Sequence, residues 1–141
     1  MLMMVIDAEN ARIGRISTYV AKALLNGDEV HVINAEKAVI SGSPKDVLAK
    51  YQERRSYQYK GNPDKSPKWP KAPHLFVRRL IRGMLPRKKA RGRAAYKRLR
   101  VYAGKPETVK GEVTKIKGAD IGELSKYMRI SELCKLLGHV E

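Results

Sequence analysis

The sequence predicts an α/β domain bearing a basic arm, and three observations lead there. Apolar runs at Met3–Ile6 and Val30–Ile33 bracket a stretch of helical periodicity, the strand–helix–strand order of a right-handed parallel crossover. With 141 residues and 43% hydrophobic side chains, the chain can bury one core but not two. Residues 65–106 then carry 15 Lys and Arg and no Asp or Glu, so nearly all of the formal charge of +16 sits in one segment.

Asn10 is placed to cap a first helix reaching about Asn26. Ile13, Ile16, Val20 and Leu24 recur at helical spacing, and Gly27 can end the helix. That apolar stripe needs a sheet, which the two flanking strands offer. Val39–Ile40 either extends the second strand's element or forms another short strand. Ser43, Pro44 and Asp46 supply a hydroxyl cap, a proline at the first helical position and a first-turn carboxylate for a second helix ending near Glu53. After it, Gly61, Pro63, Pro67 and Pro70 break up the chain alongside Tyr57, Tyr59 and Trp69. Residues 54–74 therefore read as a long exposed arm, and structureless segments of that length are usually functional or disordered on their own.

Leu75 to Leu85 regains helical spacing. Phe76, Leu80 and Met84 line one side with Val77 and Ile81 beside them, Arg78, Arg79 and Arg82 project elsewhere, and Pro86 stops the helix. Arg87 to Arg98 is a basic segment, interrupted by Gly92, that ends as a short helix. Leu99 and Val101 alternate with Arg100 and Tyr102 in a strand, after which Gly104 and Pro106 turn the chain away. The remainder reads as a weakly basic stretch around Val113–Ile116, a short helix from Ile121, and a final helix from Ser131 to Leu137 closed by Gly138, all packing against the core.

Outside residues 65–106 the two signs of charge mix, as on an ordinary solvated surface. Forty-two consecutive residues without an acid point to a polyanionic partner. Neutralised phosphates release condensed counterions while the protein sheds its own repulsion, which makes nucleic acid the first candidate. A membrane surface is the second, but the amphipathic stripe it would need, Phe76, Leu80 and Met84, is required by the fold. No apolar run approaches the ~20 residues that span a bilayer. Met1–Ile6 lacks a basic leader and is followed by Asp7 and Glu9, so it reads as a strand rather than a secretory signal.

Cys134 is the single cysteine, which excludes an internal disulfide and suits a reducing cytosol. The histidines at 31, 74 and 139 have no zinc or haem spacing, so no metal or other cofactor is expected. Ser41-Gly42-Ser43-Pro44-Lys45 between a strand and a helix admits either simple capping or a phosphate contact, since helix N-terminal amides attract anions. The Lys and Ser/Thr of a nucleotide-binding loop are missing, and no histidine lies in the local setting of a hydrolase nucleophile. Cys134, among Leu133, Leu136 and Leu137, reads as a small buried thiol. Trp69, Tyr57 and Tyr59 either stack on unpaired bases or pack the arm onto its own domain.

At Leu80-Ile81-Arg82-Gly83-Met84-Leu85-Pro86, then Gly92 and Leu99-Arg100-Val101-Tyr102-Ala103-Gly104, the chain closely resembles the universal large-subunit ribosomal protein thirteen family. The resemblance extends to Asp7, Gly14-Arg15, Val20-Ala21-Lys22, Leu24-Leu25, Gly27, Val32-Ile33-Asn34-Ala35-Glu36 and Ile40-Ser41-Gly42, covering about residues 4–106. The short N-terminus and the proline-rich stretch at Pro63–Pro73 look like the archaeal form. The resemblance implies a three-layer α/β/α core with a four-stranded, mainly parallel sheet, and a cytoplasmic role in binding and ordering large-subunit ribosomal RNA during assembly. It implies neither catalysis nor a cofactor.

Carried onto this sequence, the resemblance implies RNA contacts from Arg82, Arg87, Lys88, Lys89, Arg91 and Arg93, residues the charge distribution also selects. The charged and aromatic positions add Arg54, Arg55, Tyr57, Lys68, Trp69 and Lys71 from the arm, and Arg78, Arg79, Lys97 and Arg98 from 75–100. Gly83 is read as letting RNA or a neighbouring element approach the helix, and Gly92 as allowing a backbone turn; either can be purely structural. The expected partners are ribosomal RNA and neighbouring large-subunit proteins, with no membrane and no small-molecule substrate. A DNA-binding module finds no helix-turn-helix or finger motif, and an RNA-modifying enzyme no catalytic signature.

Overall fold

A computed structural model describes residues 3–109, 111–122 and 124–139. β1 (Met3–Asp7), α1 (Ile13–Leu25) and β2 (Glu29–Ile33) form the expected unit, with the strands parallel and Ile6 opposite Val32. β4 (Leu99–Val101) adds outside β2 and β5 (Val113–Thr114) outside β1, both parallel, giving the order β4-β2-β1-β5. The architecture is the three-layer α/β/α class around a four-stranded parallel sheet, and its faces are covered unequally. Strand alternation sends Ile6, Val30, Val32 and Leu99 into one large cluster with Ile16, Val20 and Leu24 of α1. Val5 and Ile33 point the other way, under Val109 and Tyr102 from the chain beyond β4.

β3 (Val39–Ser41) is a separate short strand. It pairs antiparallel with β6 (Tyr127–Arg129), Ile40 opposite Met128, in a two-stranded sheet beside α5 (Ile130–Leu136). No sequence signal marked β6, because three residues with one buried side chain carry almost no periodicity. The helix expected from Ile121 is absent from the described residues: Gly122 sits at φ +55° in a turn. Instead this stretch fastens the start of α1. Ile121 N–H donates to the Asn10 carbonyl (3.0 Å), and Arg12 Nη2 to the Ile121 carbonyl (3.0 Å).

Asn10 is therefore not a cap. It adopts φ +56°, the left-handed region that asparagine tolerates, and its backbone ties Lys37 to Ile121; α1 begins three residues later, after bridges at Ala11 and Arg12. Gly27 at φ +98° ends that helix as expected. α2 (Pro44–Ser56) has Ser43 at its N-cap position and Pro44 at its start, but no side-chain cap bond. It runs past Glu53, so Arg54, Arg55 and Ser56 are helical rather than part of an extended arm. No glycine or proline intervenes to stop it, and two cations in the last turn complement the helix dipole.

α3 spans Pro73–Arg82 and buries Phe76, Val77 and Ile81 completely. Met84, expected on that apolar side, lies beyond the helix and is 45% exposed. α4 (Ala90–Lys97) carries Gly92 as an interior residue. Within the chain itself, the close approach falls at Gly92 rather than Gly83. Gly83 caps α3 in ordinary right-handed geometry with no outside element close to it, whereas a Cβ on Gly92 would lie 2.0 Å from the Pro86 carbonyl oxygen. Gly92 is the point of close approach, folding the loop between α3 and α4 down onto α4.

Candidate nucleic-acid interface

The candidate surface grows from an aromatic platform. Tyr51 of α2, Phe76 of α3 and Trp69 pack edge to face or tilted, with centroids 4.9–5.8 Å apart. Trp69 thus packs onto the domain's own core, and the second of the two aromatic readings holds for it. Two guanidiniums flank its ring, Arg54 at 5.1 Å and Arg79 at 4.6 Å from the centroid. Arg55 Nη1 donates to the Trp69 carbonyl. Three arginines from two helices thereby hold Trp69 against the body, while Tyr57 and Tyr59 remain about half exposed.

Beyond this platform, Lys65 and Lys68 approach Arg79, Arg82 and Arg87 around an open cleft of about 510 Å³. Arg79, Arg82 and Arg87 also line an adjoining hollow with Lys88, so one set of guanidiniums faces two concavities. Asp64 is the one carboxylate on the cleft wall, and among the described residues no arginine of the cleft forms an ion pair with an acid. Burial lowers the Arg79 and Arg82 pKa values below the usual guanidinium value, and the neighbouring positive charges lower them further. Both stay charged at neutral pH, so the cations repel one another until an anion arrives.

The other candidates divide into free charge and structural charge. Arg87, Lys88, Lys89, Arg91, Arg93 and Lys97 are exposed on the loop after α3 and on α4; Arg93 Nη1 donates to the Lys88 carbonyl at 3.2 Å, steadying the loop. Arg78 lies over the Tyr96 ring at 4.6 Å. Arg98 is turned inward, its Nη2 donating at 2.6 Å to the Leu24 carbonyl at the end of α1, which also accepts from Gly27 N–H at 3.1 Å. Lys71 reaches away from the cleft, to Gly138 after α5. Lys65, not singled out from the sequence, belongs to the cleft; its place as the first residue of the acid-free run was the available signal.

Among the described residues, the remaining candidates assemble no reaction centre. Gly42 N–H donates to the Lys126 carbonyl at 3.0 Å, so the Ser41-Gly42-Ser43 turn serves the β3–β6 pair. Burial pushes the Cys134 thiol up to about 12. Among the described residues no three His, Cys, Asp or Glu side chains gather as metal ligands, and no helix is long and apolar enough to cross a membrane.

Residues 2–108 match the family model described as ribosomal protein L13. Three archaeal relatives bear the name large ribosomal subunit protein uL13. The Methanosarcina barkeri protein is 46% identical over 140 residues, covering 96% of this chain and 98% of the relative. The Methanococcus maripaludis protein is 43% identical over 133 residues, at 89% and 97% coverage. The Methanosphaera stadtmanae protein is 42% identical over 139 residues, at 97% and 98%. The match includes both the crossover unit and the whole stretch from Lys65 to Pro106 that builds the cleft, and on this ground the chain belongs to the ribosomal protein L13 family.

Proposed function

We propose that this protein is a structural constituent of the large ribosomal subunit, binding ribosomal RNA beside neighbouring large-subunit proteins and supporting assembly without catalysis. The observation that carries the proposal is the convergence of Lys65, Lys68, Arg79, Arg82 and Arg87 on one cleft with no paired carboxylate among the described residues. The action is passive. The α/β core and the aromatic platform hold the cations at fixed separations, and phosphates entering the two concavities replace mutual repulsion with charge-assisted hydrogen bonds. Planar guanidiniums of Arg79, Arg82 and Arg87 can grip phosphate oxygens in pairs, while Lys65, Lys68, Lys88 and Lys89 act as mobile point charges. Because Arg79, Arg82 and Arg87 face both hollows, they are positioned to bridge two RNA strands that would otherwise repel.

Replacing Arg87, Lys88 and Lys89 together by Ala tests this. Affinity for protein-free large-subunit RNA should fall, and the log–log salt dependence should flatten by about 2–3 units. An unchanged slope refutes the phosphate clamp.

A further inference from the structure

A recess of about 480 Å³ opens between the first turns of α1, strand β3 and the end of α3. Its size falls in the range of about 300–1,000 Å³ typical of small-ligand sites. Ile13, Ile40, Leu80, Met84 and Leu124 supply apolar walls, and Tyr51 is shared between this recess and the aromatic platform beneath Arg54. Leu80 and Met84 come from the same stretch that carries Arg79, Arg82 and Arg87 into the basic cleft. The recess is thus a neighbour of the proposed RNA path and shares a side chain with its platform.

Its polar groups are incompletely used. Ser17 is fully buried behind the wall, its Oγ inaccessible from the recess, so the polar groups an occupant meets are those of Arg12, Arg15, Thr18 and Ser41. Arg12 and Arg15 line the recess as well. Each donates to a carbonyl of the segment Gly118–Ile121, and Arg12 Nε is buried with no partner among the described residues. A wholly apolar occupant would strip water from the Arg12 and Arg15 guanidiniums without replacing it, and a bare phosphate would leave the apolar walls in water. An unstacked base meets both demands, presenting flat apolar faces and a polar edge.

We propose that this recess receives one unpaired base of the RNA held in the basic cleft, with the Arg12 and Arg15 guanidiniums addressing its polar edge and Met84 closing over it. Met84 suits that part, being 45% exposed and unbranched, with its sulfur 3.8 Å from Thr18 Oγ1 at the recess. The inference rests on the RNA-binding reading above, and its test separates the two.

The full chain is bound to protein-free large-subunit ribosomal RNA. Hydroxyl radicals map protected backbone, while dimethyl sulfate and a carbodiimide together read the pairing edges of all four bases. The wild type should protect backbone and alter the reactivity of one base. Thr18→Trp, at an exposed position, fills the recess. It should keep the backbone protection, return that base to its free reactivity, and bind about tenfold more weakly with an unchanged salt slope. Should that variant fail to fold, Met84→Ala, also exposed, is expected to give the same loss at constant slope. The base proposal is overturned if the variant retains the wild-type base pattern, or if it loses the backbone footprint while folded, since the recess would then belong to the phosphate grip. Absence of any backbone footprint with wild-type protein overturns the RNA reading itself.

Discussion

Gly14 and Gly92 both lie inside helices, and replacing each with Ala should move stability in opposite directions. At Gly14 an added Cβ meets nothing within 4 Å, so Ala should stabilise the protein by about 0.5–1 kcal/mol through helix propensity. At Gly92 the same Cβ would lie 2.0 Å from the Pro86 carbonyl oxygen and 2.4 Å from its carbon. Reaching 3.0 Å, below which real Cβ contacts essentially never fall, requires the Pro86 oxygen to retreat by 1.0 Å. That backbone is tied down, since Lys89 N–H donates to the same oxygen at 2.9 Å and Arg93 N–H to the Lys89 carbonyl at 3.1 Å. Overpacking against a fixed backbone falls at the upper end of its usual range, about 3 kcal/mol. Subtracting about 1 kcal/mol of propensity leaves Gly92→Ala destabilised by about 2 kcal/mol, or roughly 6 °C in Tm. Urea unfolding with an unchanged m-value is the measurement. Were Gly92→Ala as stable as the wild type, the close packing of the Pro86–Lys89 loop on α4 would be wrong, and with it the presentation of Arg87, Lys88 and Lys89.

Further outcomes follow from the division of charge. Lys65→Ala should reduce the salt slope of RNA binding by about 1 unit with no loss of stability, and an unaltered slope would remove Lys65 from the cleft. Arg98→Ala should do the reverse. Losing the bond to Leu24 destabilises the fold by about 1.5 kcal/mol in urea titrations, while the salt slope of the folded protein stays constant. Cys134, buried and with its pKa raised to about 12, should resist thiolate-directed reagents in the native protein at pH 8 and react on unfolding. Because the folded value lies above the ordinary thiol value of 9.0, the unfolded chain releases its proton first as pH rises. The Cys134 contribution to stability is therefore intact below about pH 9 and is lost toward pH 12, so the wild type should lose more stability over that window than Cys134→Ala.

The basic segment was legible because charge segregation survives in one dimension. An acid-free run needs no tertiary knowledge to be seen, and the cleft cations Lys68, Arg79, Arg82 and Arg87 all fall inside it. The crossover unit was legible for a similar reason, since burial on one face imposes period 3.6 on α1, and strand composition marks β1 and β2. Composition could not separate Arg82, which lines the cleft, from Arg98, which bonds to Leu24, because that difference is set by which element each guanidinium finds within reach. Nor could it separate Trp69 as a stacking surface for bases from Trp69 as core, until Tyr51 and Phe76 were brought to it from residues 18 and 7 positions away in sequence.

By itself, then, the sequence determined the α/β class, the helix–strand order of its first third and the site of the charge, all properties carried by local periodicity and composition. Tertiary structure alone decided the short strands β5 and β6, the close approach at Gly92 rather than Gly83, and which cations converge. Each of these depends on which parts of the chain meet in space, distant segments for the strands and the cations and the folded-back loop at Pro86 for Gly92, so a residue's meaning comes from its neighbour in space rather than its neighbour in sequence.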